Sequence, residues 1–205
     1  MTTAMPLYDN PAERVTIERM SRDDLTLRAL ATLRMTVFRS WPYLYDGNAD
    51  YEAAYLAEFL SDPASVLIVA RIGEIPIGMA TASPLATQSD TITAPFKTAE
   101  ININTVFYFG ESVLLNQFRG MGIGHRFFDE REAAAAEYCA THCTFCAVAR
   151  PDDHPMRPLS ARDLTPFWQK RGYRLAPDLN ASLSWKDLDQ TLETPHSMRF
   201  WMKAL

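Results

Sequence analysis

Three glycines at alternate positions mark a segment whose backbone is suited to binding an anion. Gly120, Gly122 and Gly124 lie in residues 117–126, between a strand-like run and an alanine-rich run. Glycine lets the main chain approach a ligand closely. The first amides of a following helix point at any anion there, together with the positive end of the helix dipole. The chemistry that this pattern predicts is the binding of a phosphate.

Positive side chains flank the same turn. Arg119, His125 and Arg126 would add charge beside a phosphate, although Arg119 is equally able to point away and brace the turn. A simpler alternative is a helix start whose glycines pack against a sheet. The final glycine is followed by His125-Arg126 and not by Lys-Ser or Lys-Thr, which argues against an ATP-hydrolysing P-loop.

A dinucleotide-binding turn also fits poorly. It would need Gly-x-Gly-x-x-Gly and an acidic residue at the end of the next strand, whereas this turn has Gly-x-Gly-x-Gly and that strand ends at Ala149-Arg150. An oxidoreductase that uses NAD(P) is therefore disfavoured as well.

The elements on either side of the turn must hold it in position. Thr105 to Leu115 has the composition of a strand and contains Gly110, which predicts a bulge or the close approach of another molecule. Ile123 to Ala140 has apolar residues at helical spacing and four consecutive alanines, which favour a helix. Thr144 to Ala149 predicts a further short strand.

The whole chain, residues 1–205, predicts one α+β domain around a mixed sheet. We expect a strand at 15–20, helices at 25–37 and 51–60, an antiparallel hairpin of 65–72 and 75–82 with its turn at Gly73-Glu74, a long and partly ordered excursion at 83–103, a proline-rich loop at 150–164, a short helix from Thr165-Pro166 to Gly172, and closing strands near 183–185 and 198–203.

Composition excludes several classes of protein. A formal charge of -5 without a basic stripe argues against a nucleic-acid partner. No apolar run is long enough to span a bilayer, and Met1 to Arg14 mixes polar residues and prolines, so we expect a cytoplasmic protein with no membrane partner. Cys139, His142, Cys143 and Cys146 contain zinc-ligating groups but straddle a helix and a strand, so buried thiols and no metal are predicted.

Two motifs resemble those of one family. Residues 119–124, Arg-Gly-Met-Gly-Ile-Gly, match in full the signature Gln/Arg-x-x-Gly-x-Gly/Ala of the GCN5-related N-acetyltransferase (GNAT) family. Residues 167–173, Phe-Trp-Gln-Lys-Arg-Gly-Tyr, are similar to its late Phe-Tyr-Glu-Lys-x-Gly-Phe segment. The resemblance implies a mixed, mostly antiparallel sheet that splays after the fourth strand, with helices on both faces.

The resemblance also implies acetyl-CoA as the cosubstrate. Pantetheine would lie in the splayed gap and pair with the backbone of Ser112, Val113 and Leu114. The pyrophosphate would be held by the turn that contains Arg119, Gly120, Met121, Gly122, Ile123, Gly124, His125 and Arg126.

Catalytic groups are less evident. Glu111 occupies the strand position where family members often carry a carboxylate base, with a purely orienting carboxylate as the alternative. Many members protonate the thiolate with a tyrosine in the late helix, but Trp168 stands there, and an indole N–H is far too weak an acid. Tyr173 is the remaining candidate, at a position that usually belongs to the core.

An aromatic loop follows the first predicted helix, in the region that forms one wall of the acceptor site in this family. Trp41, Tyr43, Tyr45 and Asp46 combine rings with a carboxylate and would suit a ligand that is part apolar and part cationic. Simple packing between two helices is the alternative. Arg150 stands where members often have a cofactor-binding asparagine, and either contacts the cofactor or is a solvated loop charge.

Together these features predict an N-acetyltransferase that acts on a primary amine of a small molecule or a protein, with a homodimer as one expected assembly. The alternative is a non-catalytic domain that binds acyl-CoA as a sensor, because Trp168 replaces the usual acid and the asparagine is missing.

Overall fold

A computed structural model describes residues 15–20 and 27–205 of the chain. The first two residues of the predicted helix at 25–37, and the polar and proline-containing segment 1–14, lie outside these residues.

Seven strands form one sheet in the order β1-β2-β3-β4-β5-β7-β6. The strands are β1 Val15–Arg19, β2 Val66–Ile72, β3 Ile75–Pro84, β4 Val106–Leu114, β5 His142–Val148, β6 Arg174–Trp185 and β7 Thr194–Ala204. The predicted hairpin is confirmed as β2 and β3. Both closing strands are longer than the sequence predicted, because their solvent-facing residues weaken the apolar pattern at each end.

One pair of neighbours, β4 and β5, runs parallel, and the others are antiparallel. The parallel pairing joins Val106–Tyr108 to His142–Thr144 and then stops, although both strands continue. The sheet is therefore splayed beyond Tyr108. The predicted fold class, a mixed and mostly antiparallel sheet that opens after the fourth strand, is confirmed.

Helices cover both faces of the sheet. On one face lie α1 Leu27–Phe38, α2 Ala49–Phe59 and α3 Asp90–Thr98; on the other lie α4 Ile123–Glu137 and α5 Thr165–Lys170. Asn48 caps α2 by accepting from the amides of Asp50 and Tyr51, which satisfies two donors at the helix start. In α4, Ile123 and Phe127 are buried against β2 and β3.

The predicted excursion at residues 83–103 is wrong in one respect: the segment is ordered. Strand β3 extends to Pro84, and α3 follows despite Pro95 within it. Ile92 and Phe96, one turn apart, are both buried against β4, β6 and β7. Tertiary packing of these two side chains outweighs the low helix propensity of the Ser, Thr and Pro residues around them.

The bulge predicted at Gly110 is confirmed. Ala80 pairs with Ser112 and Ala82 with Phe109, so Gly110 and Glu111 together lie opposite Thr81 alone.

This extra residue reverses the alternation of β4. Phe109 faces α4 before the bulge, and strict alternation would turn Glu111 to the same face. After the bulge, Val113 faces α1 and α2, and Glu111 two residues earlier shares that face.

Glycine is required at position 110 by contact distance. A Cβ added there would lie 2.7 Å from Oγ1 of Thr81, and that hydroxyl already accepts the amide of Glu111 at 2.9 Å. We expect Gly110→Ala to lower the free energy of unfolding by about 1–3 kcal/mol, as overpacking does elsewhere. Urea denaturation would measure this.

Gly124→Ala is the matched control, because its Cβ would lie 3.5 Å from Phe167, an ordinary contact. We expect it to leave stability unchanged or slightly raised. A Gly110→Ala protein as stable as the wild type would contradict the steric account, as would an undiminished loss in a Thr81→Ala background.

Candidate active site

The glycine turn has the conformation and the open space that a bound anion requires. Gly120 and Gly122 have φ of 84° and 81°, and a Cβ at either position would meet nothing within 4 Å. Gly122 immediately precedes the first residue of α4, and its carbonyl accepts the amides of His125 and Arg126, whereas the amides of Ile123 and Gly124 have no acceptor in the described part of the chain. The turn therefore presents free backbone donors at the positive end of a long helix.

The side chains of the turn divide into anchors and free charges. Ile123 is buried, and Met121 packs against the same cluster, so both can contribute to a ligand only through their backbone. Arg126 is exposed. The ring of His125 lies edge-on to Phe167 at 4.9 Å.

Arg119 connects the turn to the strand before it. Its Nε donates to the carbonyl of Leu114 at 3.4 Å, which is the bracing role considered from the sequence. Partial burial lowers the pKa of Arg119, and the charge of Arg162 lowers it further. The proline-rich loop thus brings a second guanidinium towards the turn.

The end of β4 offers backbone groups to the splayed gap. Ser112, Val113 and Leu114 pair with Ala80, Met79 and Gly78 of β3 along one edge. Strand β5 pairs with β4 only through Tyr108, so the other edge of these three residues is not covered by a strand. In antiparallel pairing alternate residues direct their N–H and C=O groups to that free edge. The strand, the turn and the helix start therefore form one continuous surface.

Glu111 lies in a buried cluster of charges. Its carboxylate forms an ion pair with Nη1 of Arg34, and Nε of the same arginine donates to Glu52. The side chains of Arg34 and Glu52 are 7% and 1% exposed, whereas that of Glu111 is 12% exposed and is the one that reaches the surface. Among the three, Glu111 is therefore the group that a second molecule could contact.

Two tyrosines complete this cluster. The hydroxyl of Tyr45 donates to Oε1 of Glu52 at 2.7 Å, and the guanidinium of Arg34 lies 4.5 Å from the ring centroid of Tyr55. Burial raises the pKa of Tyr45, and its hydrogen bond to Glu52 raises it further, so the hydroxyl remains a donor.

Sequence reasoning missed Arg34, Glu52 and Tyr55. A usable signal existed: Arg34 lies one turn after the buried Leu30 in α1, and Glu52 lies one turn before the buried Leu56 in α2. A charge at an inward-facing helix position needs a partner, and this pair supplies it.

The position of Tyr173 does not support its predicted role as a catalytic acid. It is fully buried, its ring contacts Phe128 and Phe145, and its hydroxyl donates to Glu132 at 3.2 Å. Burial raises its pKa well above the ordinary value, which opposes proton transfer near neutral pH. Trp168 packs against Phe145 and Trp201 in the same cluster.

The four predicted acceptor residues are not brought together. Tyr45 alone joins the Glu111 cluster through Glu52. The ring of Trp41 lies 5.3 Å from that of His154, Tyr43 packs between Phe38 and Trp185, and Asp46 pairs with Lys186 and Arg39 at the surface. The hypothesis of simple packing therefore describes Tyr43 better than a ligand-binding role does.

Arg150 has neither of the roles considered from the sequence. Its side chain is 7% exposed and forms a bidentate pair with Asp187, at 2.6 and 2.8 Å. The remaining donors reach the carbonyls of Pro42 and Tyr43 at 2.9 and 2.7 Å. Nε1 of Trp185 also donates to the Tyr43 carbonyl and to Asp187. Arg150 is thus a clamp that fixes the aromatic loop, neither a cofactor contact nor a solvated charge.

The described residues contain neither a membrane-spanning helix nor a metal-binding cluster. No helix among them is both long and apolar enough to cross a membrane. In the same part of the chain, no group of three or more His, Cys, Asp and Glu side chains is arranged to hold a metal ion. Cys143 and Cys146 are buried, and burial raises the pKa of both thiols.

Comparison with known proteins gives likeness in structure alone. No protein-family model matches the chain, and no curated protein matches its sequence. The ribosomal-protein-alanine N-acetyltransferase of Brucella melitensis is 13% identical, with a TM-score of 0.61 over 93% of this chain and 99% of that one.

Two further solved structures are similar. An aminoglycoside 6'-N-acetyltransferase complexed with coenzyme A is 16% identical, with a TM-score of 0.60 over 92% of this chain and 96% of that one. A protein from Desulfovibrio desulfuricans assigned to the GNAT family of acetyltransferases is 12% identical, with a TM-score of 0.56 over 93% of this chain and 98% of that one. At these identities the likeness concerns the fold.

Removing the cation of Arg150 should destabilise the folded protein. We expect Arg150→Met to lower the free energy of unfolding by about 3–5 kcal/mol, because it leaves Asp187 buried without its cation. Chemical denaturation would measure the change.

Arg157→Met is the control, since Arg157 pairs with Asp152 at the surface, where both side chains are exposed. We expect that variant to lose less than about 1 kcal/mol. Equal losses in the two variants would show that Arg150 is not a buried clamp.

Proposed function

We propose that this chain, which has the GNAT fold, transfers the acetyl group of acetyl-CoA to a primary amine. The fold is the one that the two sequence motifs predicted. The observation that carries the proposal is the glycine turn: two glycines of positive φ with open space above them, at the start of α4 and directly after the free edge of β4.

The residues of this chain fit the proposed cosubstrate. The open space at Gly120 and Gly122 accommodates a pyrophosphate, with the amides from Gly120 to Gly124 as donors and the side chains of His125 and Arg126 beside them. The free edge of Ser112 to Leu114 is suited to the amide groups of pantetheine, which pair with backbone as a strand does. Acetyl-CoA supplies the acetyl group as an activated thioester.

The proposed chemistry of this chain begins at Glu111. Its partly exposed carboxylate accepts a proton from the incoming amine, through a water molecule where the nitrogen is not in direct contact. A main-chain amide near Leu114 donates to the oxyanion of the tetrahedral intermediate. The amine nitrogen forms the new N–C bond, and collapse of the intermediate breaks the C–S bond and releases CoA as a thiolate, which takes its proton from solvent. A thiol with a pKa of ~8.5 is a fair leaving group at neutral pH, so the chain does not require a tyrosine acid.

The acceptor in this proposal is a primary amine of a small molecule or of a protein. Two structural neighbours illustrate both kinds, since one is named for a ribosomal protein and the other for an aminoglycoside. Tyr45 is the predicted acceptor residue that we retain near Glu111, because it contacts Glu52 of the same cluster.

A second candidate is an acyl-CoA sensor without catalysis. It is favoured by the core positions of Trp168 and Tyr173, which leave the late helix without an available tyrosine acid. Release of free thiol from acetyl-CoA across a panel of amines separates the two candidates. Tight binding with no amine-dependent release would favour the sensor.

The turn is tested by a glycine pair. We expect Gly122→Glu to weaken CoA binding at least about a hundredfold, because a carboxylate would fill the phosphate position and repel the anion. Isothermal titration calorimetry gives the dissociation constant, and circular dichroism reports folding.

Gly73→Glu is its matched control. Gly73 also has a positive φ, of 56°, and open space, but lies in the β2–β3 turn. We expect Gly73→Glu to strain the backbone as Gly122→Glu does, but to leave the affinity for CoA unchanged. Wild-type affinity in Gly122→Glu would exclude the turn as the pyrophosphate site.

The base is tested separately. We expect Glu111→Gln to lower kcat/KM by about 10²- to 10⁴-fold while CoA affinity is retained, because a general base contributes about that factor. The exposed Glu193→Gln is the control and should match the wild type in both measurements. An unchanged pH–rate profile in Glu111→Gln would remove Glu111 as the base.

A further inference from the structure

We propose that Arg34 and Glu52 are positioning residues that together set the pH range in which Glu111 accepts a proton. This inference rests on the proposed function, because it concerns the same carboxylate. Neither residue belongs to the glycine turn or to the predicted acceptor loop. Both act on Glu111 from the helices that cover its face of the sheet.

The geometry makes two carboxylates share one cation. Arg34 on α1 directs Nε to Glu52 on α2 and Nη1 to Glu111 on β4. A guanidinium is planar and presents its donors in a fixed fork, so it can hold two carboxylates at separate edges in defined directions. With both carboxylates ionised, the cluster has one negative charge in excess and is almost closed to water.

The position of Arg34 is itself determined. Its guanidinium lies 4.5 Å from the ring of Tyr55 and 5.3 Å from that of Phe38, which fixes its plane. Tyr45 donates to the second oxygen of Glu52, at 2.7 Å. Glu52 therefore has two strong partners and holds Arg34 in place beside Glu111.

The sign of each influence on Glu111 follows from charge. The guanidinium of Arg34 favours the ionised carboxylate, whereas burial and the nearby negative charge of Glu52 favour the protonated form. Glu52 and Glu111 share one cation, so the charge of Glu52 offsets part of the attraction that Arg34 exerts on Glu111. Arg34 alone would make Glu111 a weak base, and Glu52 restores part of its basicity.

The other groups that face Glu111 do not replace this pair. From the opposite face, the buried Arg131 donates to the main-chain carbonyl of Glu111 at 3.2 Å. The main-chain amide of Glu111 donates to Oγ1 of Thr81. Burial raises the pKa of Tyr55 and of Tyr108, so both hydroxyls are neutral near pH 7. Arg34 and Glu52 are thus the charges that act on the carboxylate itself.

Two substitutions should move the titration of Glu111 in opposite directions. Glu52→Gln removes the competing negative charge, so the acid limb of kcat/KM should move to lower pH by about one unit. Arg34→Gln leaves two buried carboxylates without their cation, so the limb should move to higher pH by at least that amount. A purely structural role would change stability without opposite pH shifts.

A second measurement does not depend on activity. NMR of isotope-labelled glutamate side chains, with the Glu111 resonance identified by its loss in Glu111→Gln, follows the same carboxylate directly. Glu58→Gln is the matched control, because Glu58 lies on the same helix but is exposed. It should leave both the acid limb and the resonance unmoved. Arg34→Lys, which keeps the charge, should lie nearer to the wild type than Arg34→Gln.

The outcomes separate this inference from the proposed function. Opposite shifts of the Glu111 resonance support the inference, even if no amine is acetylated and the proposed function fails. The inference would be overturned, and the function would stand, if amines are acetylated but the acid limb and the Glu111 resonance move in neither variant. The same holds if both variants move them in the same direction. If Arg34→Gln does not fold, Glu52→Gln decides the inference by itself: the acid limb and the Glu111 resonance must move to lower pH, and no movement or movement to higher pH would overturn it.

Discussion

The bulge at Gly110 is the constraint on which the rest of the site depends. The side chain of Thr81 leaves room opposite it for a glycine but not for a larger residue. Its hydroxyl accepts a hydrogen bond from the amide of Glu111, which the bulge removes from the pairing between β3 and β4. One inserted residue is enough to turn Glu111 from the α4 face to the face covered by α1 and α2. The carboxylate and the glycine turn are thereby supplied by one strand and the loop that follows it.

The bulge is fixed from both faces of the sheet. On the α4 side, the guanidinium of Arg131 lies 4.4 Å from the ring of Phe109 and 4.7 Å from that of Phe128, and donates to the carbonyl of Glu111. Burial lowers the pKa of Arg131 to about 10, so it is still charged at neutral pH. On the other side, Arg34 holds the carboxylate of the same residue. Backbone and side chain of Glu111 are therefore held by separate arginines on separate helices.

A distant part of the chain supports this arrangement. Arg150 and Trp185 bind the carbonyl of Tyr43, and Leu44 and Asp46 exchange backbone hydrogen bonds with the β6–β7 connection. The loop between α1 and α2 is thereby tied to the far end of the sheet. Since that loop contains Tyr45, the closing strands help to fix the cluster around Glu111, although they contribute no residue to it.

The sequence by itself predicted most of the elements and the glycine turn between β4 and α4, because apolar periodicity, glycine positions and helix starts act over a few residues. Only the tertiary structure decided which face Glu111 takes, since one bulge reverses that outcome. It also decided that Arg34 pairs with Glu52, 18 residues away, and Arg150 with Asp187, 37 residues away. The burial of Tyr173 and the order in residues 83–103 were decided in the same way. Burial and charge pairing depend on which surfaces meet, and no local pattern in the chain contains that information.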